Sequence, residues 1–402
     1  MSNFFQKISN IKVISIKYKE FFKMQAKKIL NNVEDIKKID VFNMNVDIKR
    51  MPESIENAIE ISKHLIIPKK VNNEIMNIIY TSPENIIIIG MGGSAIGGDL
   101  LKEFLLDKIT VPIEVVRDYN IPQYVSKKTL VIVISYSGNT EETLNGFKES
   151  IEKNAMVVAL SSNGLLNEIC KKYEIPIILV PENIQPRASL PYLFFPLLII
   201  LNKFNLIPLF SKEIDETLTN LKELRKNLDI DVPFEKNISK QIAGKISNRI
   251  GLIFAPPRFG AVARRIKCQL NENSKNLAFW DVFSELNHNE VVGWERKLSI
   301  QKEFILILLR SNLESLPTKN RINITKDIIF SGKVNEIVEI KGEGEGILSQ
   351  YFSKILIGDY ISFYLAILNG VDPSPVKDIS KLKKELKSQY DLIGVIRKIF
   401  LI

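Results

Sequence analysis

"IIIIGMGGSAIGGDLLKEF", residues 86–104, sets four isoleucines ahead of five glycines spread over nine positions. A β-branched run that stops on glycine and restarts with helical spacing is a strand–turn–helix unit of an α/β protein. Glycine lets the backbone turn with positive φ and lets a ligand come close to the peptide N–H groups. The helix that begins there aims its free N–H groups and its dipole at the same place, so the expected occupant is an anion, above all a phosphate.

The same unit recurs on both sides. Apolar strands are expected at 111–116 (VPIEVV), 130–134 (LVIVI), 156–160 (MVVAL) and 176–180 (PIILV), with helices at 140–152 and 163–172 and a helical stretch over 188–228. Continuous Val/Ile strands alternating with helices predict a parallel, doubly wound sheet. After residue 235 the pattern repeats: strand 250–254, a turn at Gly260, helix 261–275, strand 303–309, helix 318–328, strand 335–341 and a long helix 347–369. Upstream, 31–80 reads as mostly helical, with Ile55, Ala58, Ile59 and Ile66 on one face that Ser62 interrupts. The expected organisation is a basic arm and helical segment (1–65), a first α/β domain (66–235), a second (236–386) and an apolar tail (387–402).

A chain of 402 residues suits two domains, and 45% hydrophobic with 25% charged residues is ordinary for a soluble protein. No unbroken apolar run reaches the roughly 18 residues of a membrane span, so no stable membrane insertion is expected. Cys170 and Cys268 have no paired-ligand spacing, which argues against a disulfide framework or a zinc site and fits a reducing cytoplasm. The net charge of +9 is concentrated at one end: residues 1–30 hold seven lysines and Glu20, a balance of +6, which leaves +3 for the rest. That is an arm, a targeting segment or an electrostatic tether, and not a nucleic-acid-binding surface.

A glycine-rich turn has three common uses. A P-loop is excluded, because no Gly-Lys-Ser/Thr closes it. Gly90-x-Gly92-x-x-Ala95 fits a relaxed dinucleotide fingerprint, with Glu114 near the place of a ribose-binding acid. The third use is a phosphate cradle built from Gly92, Gly93 and the Ser94 hydroxyl. "VIVISYSGNTEETL" (131–144) favours the third: Ser135, Ser137 and Thr140, with Gly138, open a helix after another buried strand. Three hydroxyls at a helix N-terminus suit a phosphate dianion, although one of them is expected to serve as a helix cap.

The SYSGNTEET loop is similar to that of sugar isomerase (SIS) domains. Together with "GMGGSAIGGDLL", "VVRDY", "QLNENSK", "ELNHNEVVGWE" and "GVDPSPV", in order over residues 40–386, it resembles the bifunctional phosphoglucose/phosphomannose isomerases of archaea and some bacteria. The resemblance implies two SIS domains, a homodimer with shared active sites, a sugar 6-phosphate substrate, and neither metal nor nucleotide cofactor.

Aldose–ketose isomerisation moves a proton between adjacent carbons through a cis-enediol, which one carboxylate can do. Glu272, in "QLNENSK", is the candidate base; its helix has an apolar face of Ala263, Ile266 and Leu270, which predicts partial burial. His288 stands among Asn287, Asn289 and Glu290 in a loop suited to proton transfer. The resemblance implies that it enters the partner subunit's site for ring opening. The other histidine, His64, falls on an amphipathic helix and is read as structural. Arg187 matches the family's arginine beside the reacting carbon, and the helix dipole gives a cation no local reason to sit there. The family's ring-opening lysine fits Lys383, with Lys377, Lys381, Lys384 and Lys387 as rivals. Val376 stands where some members carry a threonine linked to mannose acceptance, with Ser374 the nearest hydroxyl.

Two other classes compete with an isomerase. A SIS module in a regulator only senses a sugar phosphate, but residues 1–80 show no helix-turn-helix and a sensor has no need of Glu272 and His288. A nicotinamide oxidoreductase is the second, and the hydroxyl-rich loop suits it poorly. A glucosamine-phosphate synthase would carry a glutaminase domain, which is not present.

Overall fold

The computed structural model describes residues 20–401, so most of the basic arm lies outside the described residues. Packing divides the chain into two compact units. The first joins Arg50–Leu218 to residues 376–401, and the second joins residues 20–49 to Thr219–Pro375.

The first unit opens with α1 (Met51–Lys63), whose Ile55 and Ala58 are buried. Ser62, which breaks the apolar face in sequence, is buried too, and its hydroxyl donates to the Ala58 carbonyl at 2.5 Å. Ile66 is 81% exposed, because the helix has already ended and His64 caps it on the surface. The helical reading of 31–80 is also corrected at its end. Residues 70–79 form an antiparallel ribbon, β1 (Lys70–Asn72) and β2 (Asn77–Ile79), with one buried residue in each strand, Val71 and Ile78, and Met76 buried in the turn between them.

The main sheet follows: β3 (Asn85–Ile89), α2 (Gly93–Phe104), β4 (Ile113–Val116), β5 (Thr129–Ile134), α3 (Glu141–Glu152), β6 (Met156–Ser161), α4 (Gly164–Lys172) and β7 (Ile177–Leu179). All five strands run parallel in the order β4-β3-β5-β6-β7. β5 and β6 are buried throughout, as two-sided covering by helices requires. The first strand of the sheet, β3, has β4 on one side and β5 on the other, so the chain switches direction between β3 and β5. Helix α5 (Leu190–Lys203) is apolar all round and buried from Leu190 to Leu201. The expected helix 188–228 is in fact two, this one and Ser211–Lys226.

The second unit holds α6 (Ile238–Ile246), β8 (Ile250–Ala255), α7 (Gly260–Glu272), β9 (Ala278–Val282), the short helix α8 (Glu290–Gly293), β10 (Phe304–Arg310), α9 (Leu316–Ile324), β11 (Glu336–Lys341) and α10 (Ile347–Leu368). Its four parallel strands are ordered β11-β10-β8-β9. α10 is long and apolar enough to cross a membrane, but 94% of that window is buried, packed on α6 and α7.

The last two helices, α11 (Lys377–Gln389) and α12 (Leu392–Leu401), belong to the first unit. The apolar tail is covered within its own unit, where α12 packs on α3 and α4. Phe400 meets the rings of Phe147 at 5.8 Å and Tyr173 at 6.2 Å. Arg397 grips Glu168 through two bonds of 2.6 and 3.0 Å. The Tyr173 hydroxyl and Lys172 donate to the Phe400 carbonyl at 2.6 and 2.9 Å.

Candidate active site

In open α/β sheets a ligand binds beyond the carboxyl ends of the strands, at the point where strand order reverses. In the first unit that point lies between β3 and β5, and the two loops leaving these strands are Gly90–Ser94 and Ser135–Thr140. A bond from the Tyr136 N–H to the Ser94 hydroxyl, 3.3 Å long, joins them. Ser94 accepts in that bond, which leaves its own proton to donate. Ser135 is fully buried and donates to Thr140 Oγ1 at 3.1 Å, so Thr140 likewise keeps its proton. Ser137 is exposed, and its Oγ accepts from the Asn139 N–H at 3.3 Å.

Thr140 occupies the N-cap position of α3 without a side-chain capping bond, and Gly92 does the same for α2. Two helix N-termini therefore open at one place with no side chain of their own capping them, an arrangement suited to an anion. Four of the five glycines of the opening stretch divide between two jobs. Gly92 (φ 50°, ψ −119°) makes the turn, and a methyl on Gly93 would stand 3.4 Å from the Pro186 carbonyl. Gly97 and Gly98 serve packing instead. A methyl on Gly97 would lie 2.4 Å from the Leu193 carbonyl of α5, and one on Gly98 2.9 Å from Ile88 of β3.

Arg187 lies one residue beyond Pro186 in that neighbouring segment and is only 6% exposed. A buried guanidinium is rare without charge or acceptor partners, which sets it apart from a surface arginine. Sequence reasoning missed the loop that backs the site. Ser162 holds the Tyr136 carbonyl through its N–H (2.9 Å) and its hydroxyl (2.6 Å), and the Leu166 N–H holds the Gly138 carbonyl at 3.0 Å. The Ser-Ser-Asn-Gly run at 161–164, directly after a buried strand, was the available signal.

In the second unit Glu272 is the last residue of α7 and is partly buried, as its helix face predicts. The polar residues around it are anchors. Arg265 meets Asp359 of α10 at 3.0 and 3.2 Å, and Gln269 meets the same carboxylate at 2.8 Å. Asn273 donates to the Ser362 hydroxyl at 2.9 Å, and Lys275 to the Asp372 carbonyl at 2.8 Å. β9 follows, then a 3₁₀ turn, Glu285–His288, whose last residue is exposed to solvent. Leu286 and Trp294 pin the flanks of this turn into a core with Phe254, Leu306 and Phe330.

Lys383 sits on α11, where no residue is buried. It lies four positions after Ile379 and three before Leu386, hence on the helix face that carries these apolar side chains, exposed by 44% and 40%. Lys377, Lys381 and Lys384, spaced by four and three, share the opposite face. Among the described residues no group of three His, Cys, Asp or Glu side chains is placed to hold a metal ion.

Comparison with known proteins bears on which family built these loops. Residues 78–189 match the SIS domain, and 235–386 match the bacterial phospho-glucose isomerase C-terminal SIS domain. A bifunctional phosphoglucose/phosphomannose isomerase of Caldicellulosiruptor bescii is 41% identical over 340 residues, 84% of this chain and 97% of the relative. The chain belongs to the bifunctional phosphoglucose/phosphomannose isomerase family. A second family member, from Aquifex aeolicus, is 36% identical over 308 residues, 76% of this chain and 92% of its own. The fold is shared more widely: hypothetical protein TT0462 of Thermus thermophilus superposes with a TM-score of 0.68 at 15% identity, over 93% of this chain and 96% of that one. Both domain matches stop short of α12, so the helix clasped by Glu168 and Tyr173 lies beyond the family's matched domains.

Proposed function

We propose that this protein interconverts glucose 6-phosphate, and mannose 6-phosphate, with fructose 6-phosphate. The observation that carries the reading is the pair of hydroxyl-bearing loops opening two uncapped helix N-termini at the switch point of the sheet, in a chain of this family. The loops hold the phosphate through Ser94, Ser137, Thr140 and the N–H groups around Gly92 and Gly93. Ser135 orients Thr140.

Glu272 takes the proton from C2 of the open-chain aldose and returns it to C1 of the cis-enediol, giving the ketose. Arg187 offsets the negative charge that develops on the enediolate oxygens. His288 and Lys383 serve ring opening, exchanging protons with the ring oxygen and the anomeric hydroxyl. Lys383 is favoured over its neighbours because it borders the apolar stripe of α11, the face best suited to packing. The carbon skeleton and its oxidation level as a whole are unchanged, so the reaction draws on no redox cofactor. The working unit is a homodimer in which His288 enters the site of the partner subunit, and the enzyme is cytoplasmic. Along the sequence the chain is read as SIS domains 66–235 and 236–386, preceded by the arm and helical segment and followed by the tail.

The test is a coupled assay of fructose 6-phosphate formation from each aldose, with EDTA present and Glu272→Gln as control. Turnover of both aldoses, lost in the variant, supports the full reading. Turnover of glucose 6-phosphate alone removes the mannose half and points to Val376. A folded protein inert on both sinks the isomerase reading in favour of a sugar-phosphate sensor.

A further inference from the structure

The motif "VVRDY" has no task in the proton shuttle or in ring opening. It ends β4 and runs into the loop 117–123, directly beside the phosphate turn, where the Gly90 N–H donates to the Val116 carbonyl at 3.3 Å. The loop reaches both helices whose N-termini open at the candidate phosphate site. On the α2 side the Arg117 guanidinium pairs with Asp99. On the α3 side the contacts form a row. The Tyr119 hydroxyl donates to the Glu141 carboxylate at 2.5 Å, and Asn145 Nδ2 donates to the Tyr119 carbonyl at 2.9 Å. The Ile121 N–H donates to Glu149 Oε2 at 2.9 Å, and Lys153 Nζ donates to the Pro122 and Gln123 carbonyls at 3.3 and 3.2 Å. Residues 141, 145, 149 and 153 are spaced by four, so one face of α3 takes the whole loop.

Glu141 is the first residue of α3 and follows Thr140 directly. A carboxylate in the first turn is favoured by the helix dipole, so it repels a phosphate bound there and competes for the same N–H groups. The bond to Tyr119 commits the Glu141 carboxylate to the β4 loop instead. The tyrosine is itself steadied, since its N–H donates to Asp118 Oδ1 at 2.6 Å. The bond to Glu141, ahead of burial and the neighbouring acids, holds the Tyr119 hydroxyl above its ordinary range, so it stays a donor at neutral pH.

We infer that Tyr119 is a positioning residue for the substrate phosphate: it holds the Glu141 carboxylate on the loop after β4 and leaves the α3 N-terminus, beside Thr140, to the phosphate. Without the hydroxyl the carboxylate is released and competes with the phosphate. The inference rests on the isomerase reading above, and a binding measurement separates the two.

KM and kcat for fructose 6-phosphate, and the Kd of inorganic phosphate by calorimetry, are measured at low salt for the wild type, Tyr119→Phe, Glu141→Gln and the double variant. Tyr119→Phe removes only a hydroxyl, from a side chain that is 37% exposed, so the fold is kept. It should raise KM and the phosphate Kd together by about threefold or more, with kcat within about twofold. With Glu141→Gln already in place, the same change should move neither by more than about twofold. An active enzyme whose KM and Kd are unmoved by Tyr119→Phe, or rise equally with and without the Glu141 charge, overturns the inference and leaves the isomerase standing. A wild type inert on sugar phosphates overturns the isomerase reading; the role of Tyr119 then stands if phosphate binding weakens in Tyr119→Phe and falls if it does not.

Discussion

A methyl group on Gly138 tests how the phosphate loop is built. The backbone there has φ +65°, and the added carbon would stand 1.7 Å from the Asn163 carbonyl oxygen and 2.9 Å from Ser161 Oγ. Positive φ costs an L residue roughly 1–2 kcal/mol. The collision costs more, because the carbonyl must retreat by about 1.5 Å to reach ordinary contact. That oxygen accepts from Ser161 Oγ at 2.7 Å. The same pair of loops is tied by Ser162 to Tyr136 and by Leu166 to Gly138. Losing two or three such bonds adds about 0.5–1.5 kcal/mol each. The sum, roughly 3–6 kcal/mol, is a large fraction of a domain's stability.

The backing loop and the phosphate loop must therefore separate, or the first unit must melt early. Gly332→Ala is the control: its φ is +75° but nothing lies within 4 Å, so only the strain remains. Thermal unfolding with and without fructose 6-phosphate, together with KM, reads both effects. Gly138→Ala should lower Tm by several degrees more than Gly332→Ala and raise KM about tenfold or more, from a cost above 1.4 kcal/mol at the loop. If Gly138→Ala matches Gly332→Ala in both Tm and KM, the account of this loop is wrong.

Three further outcomes are expected. Glu272→Gln should lower kcat by about 10²–10⁴ while KM stays within a few-fold, with exchange of the C2 proton into solvent lost in parallel; an unchanged exchange rate assigns the shuttle to another residue. Phe400→Ala should cost on the order of 3 kcal/mol in thermal or urea unfolding by emptying the space between Phe147 and Tyr173, and a loss below 1 kcal/mol would mean α12 is not held there. Stability should also depend on Glu290: its carboxyl holds a proton up to about pH 7 when folded but only to about 4.3 when unfolded, so folding takes up a proton between those values and stability falls as pH rises through them. Urea midpoints of Glu290→Gln should show a flatter pH dependence than the wild type over that interval.

The central strands were legible because nothing in them is exposed. Ile86–Ile89, Leu130–Ile134 and Met156–Leu160 are covered on both faces, so an unbroken apolar run and a parallel strand coincide. β9 was missed for the opposite reason. It pairs on one side only, and Phe279 and Trp280 are 52% and 36% exposed, so "AFWDV" has neither the alternation of a half-buried strand nor the company of a buried one. The β1–β2 ribbon fails in the same way, with one buried residue per strand. The tail's apolar spacing was visible, but its destination was not. Glu168, Tyr173 and Phe147 are more than 200 residues away in sequence, and only the fold brings them to Phe400.

The site was legible to the extent that one physical cause produced each residue. A hydroxyl-rich loop after a buried strand has few uses, and Ser135, Ser137 and Thr140 lie in such a loop. The glycines have two causes that look alike in sequence. Gly92 is demanded by a backbone angle and Gly97 by the approach of α5 to 2.4 Å of a missing methyl, yet both are written with the same letter, five residues apart. The consequence is that the density of glycine overstated the phosphate cradle: the cradle needs the turn at 92–93, while Gly97 and Gly98 let α2 settle between β3 and α5. Glu290 shows the converse. Nothing in "NHNEVV" separates it from a solvated glutamate, and its carboxyl is pushed up by burial first and then by Asp281, nine residues back on an edge strand that the sequence did not disclose.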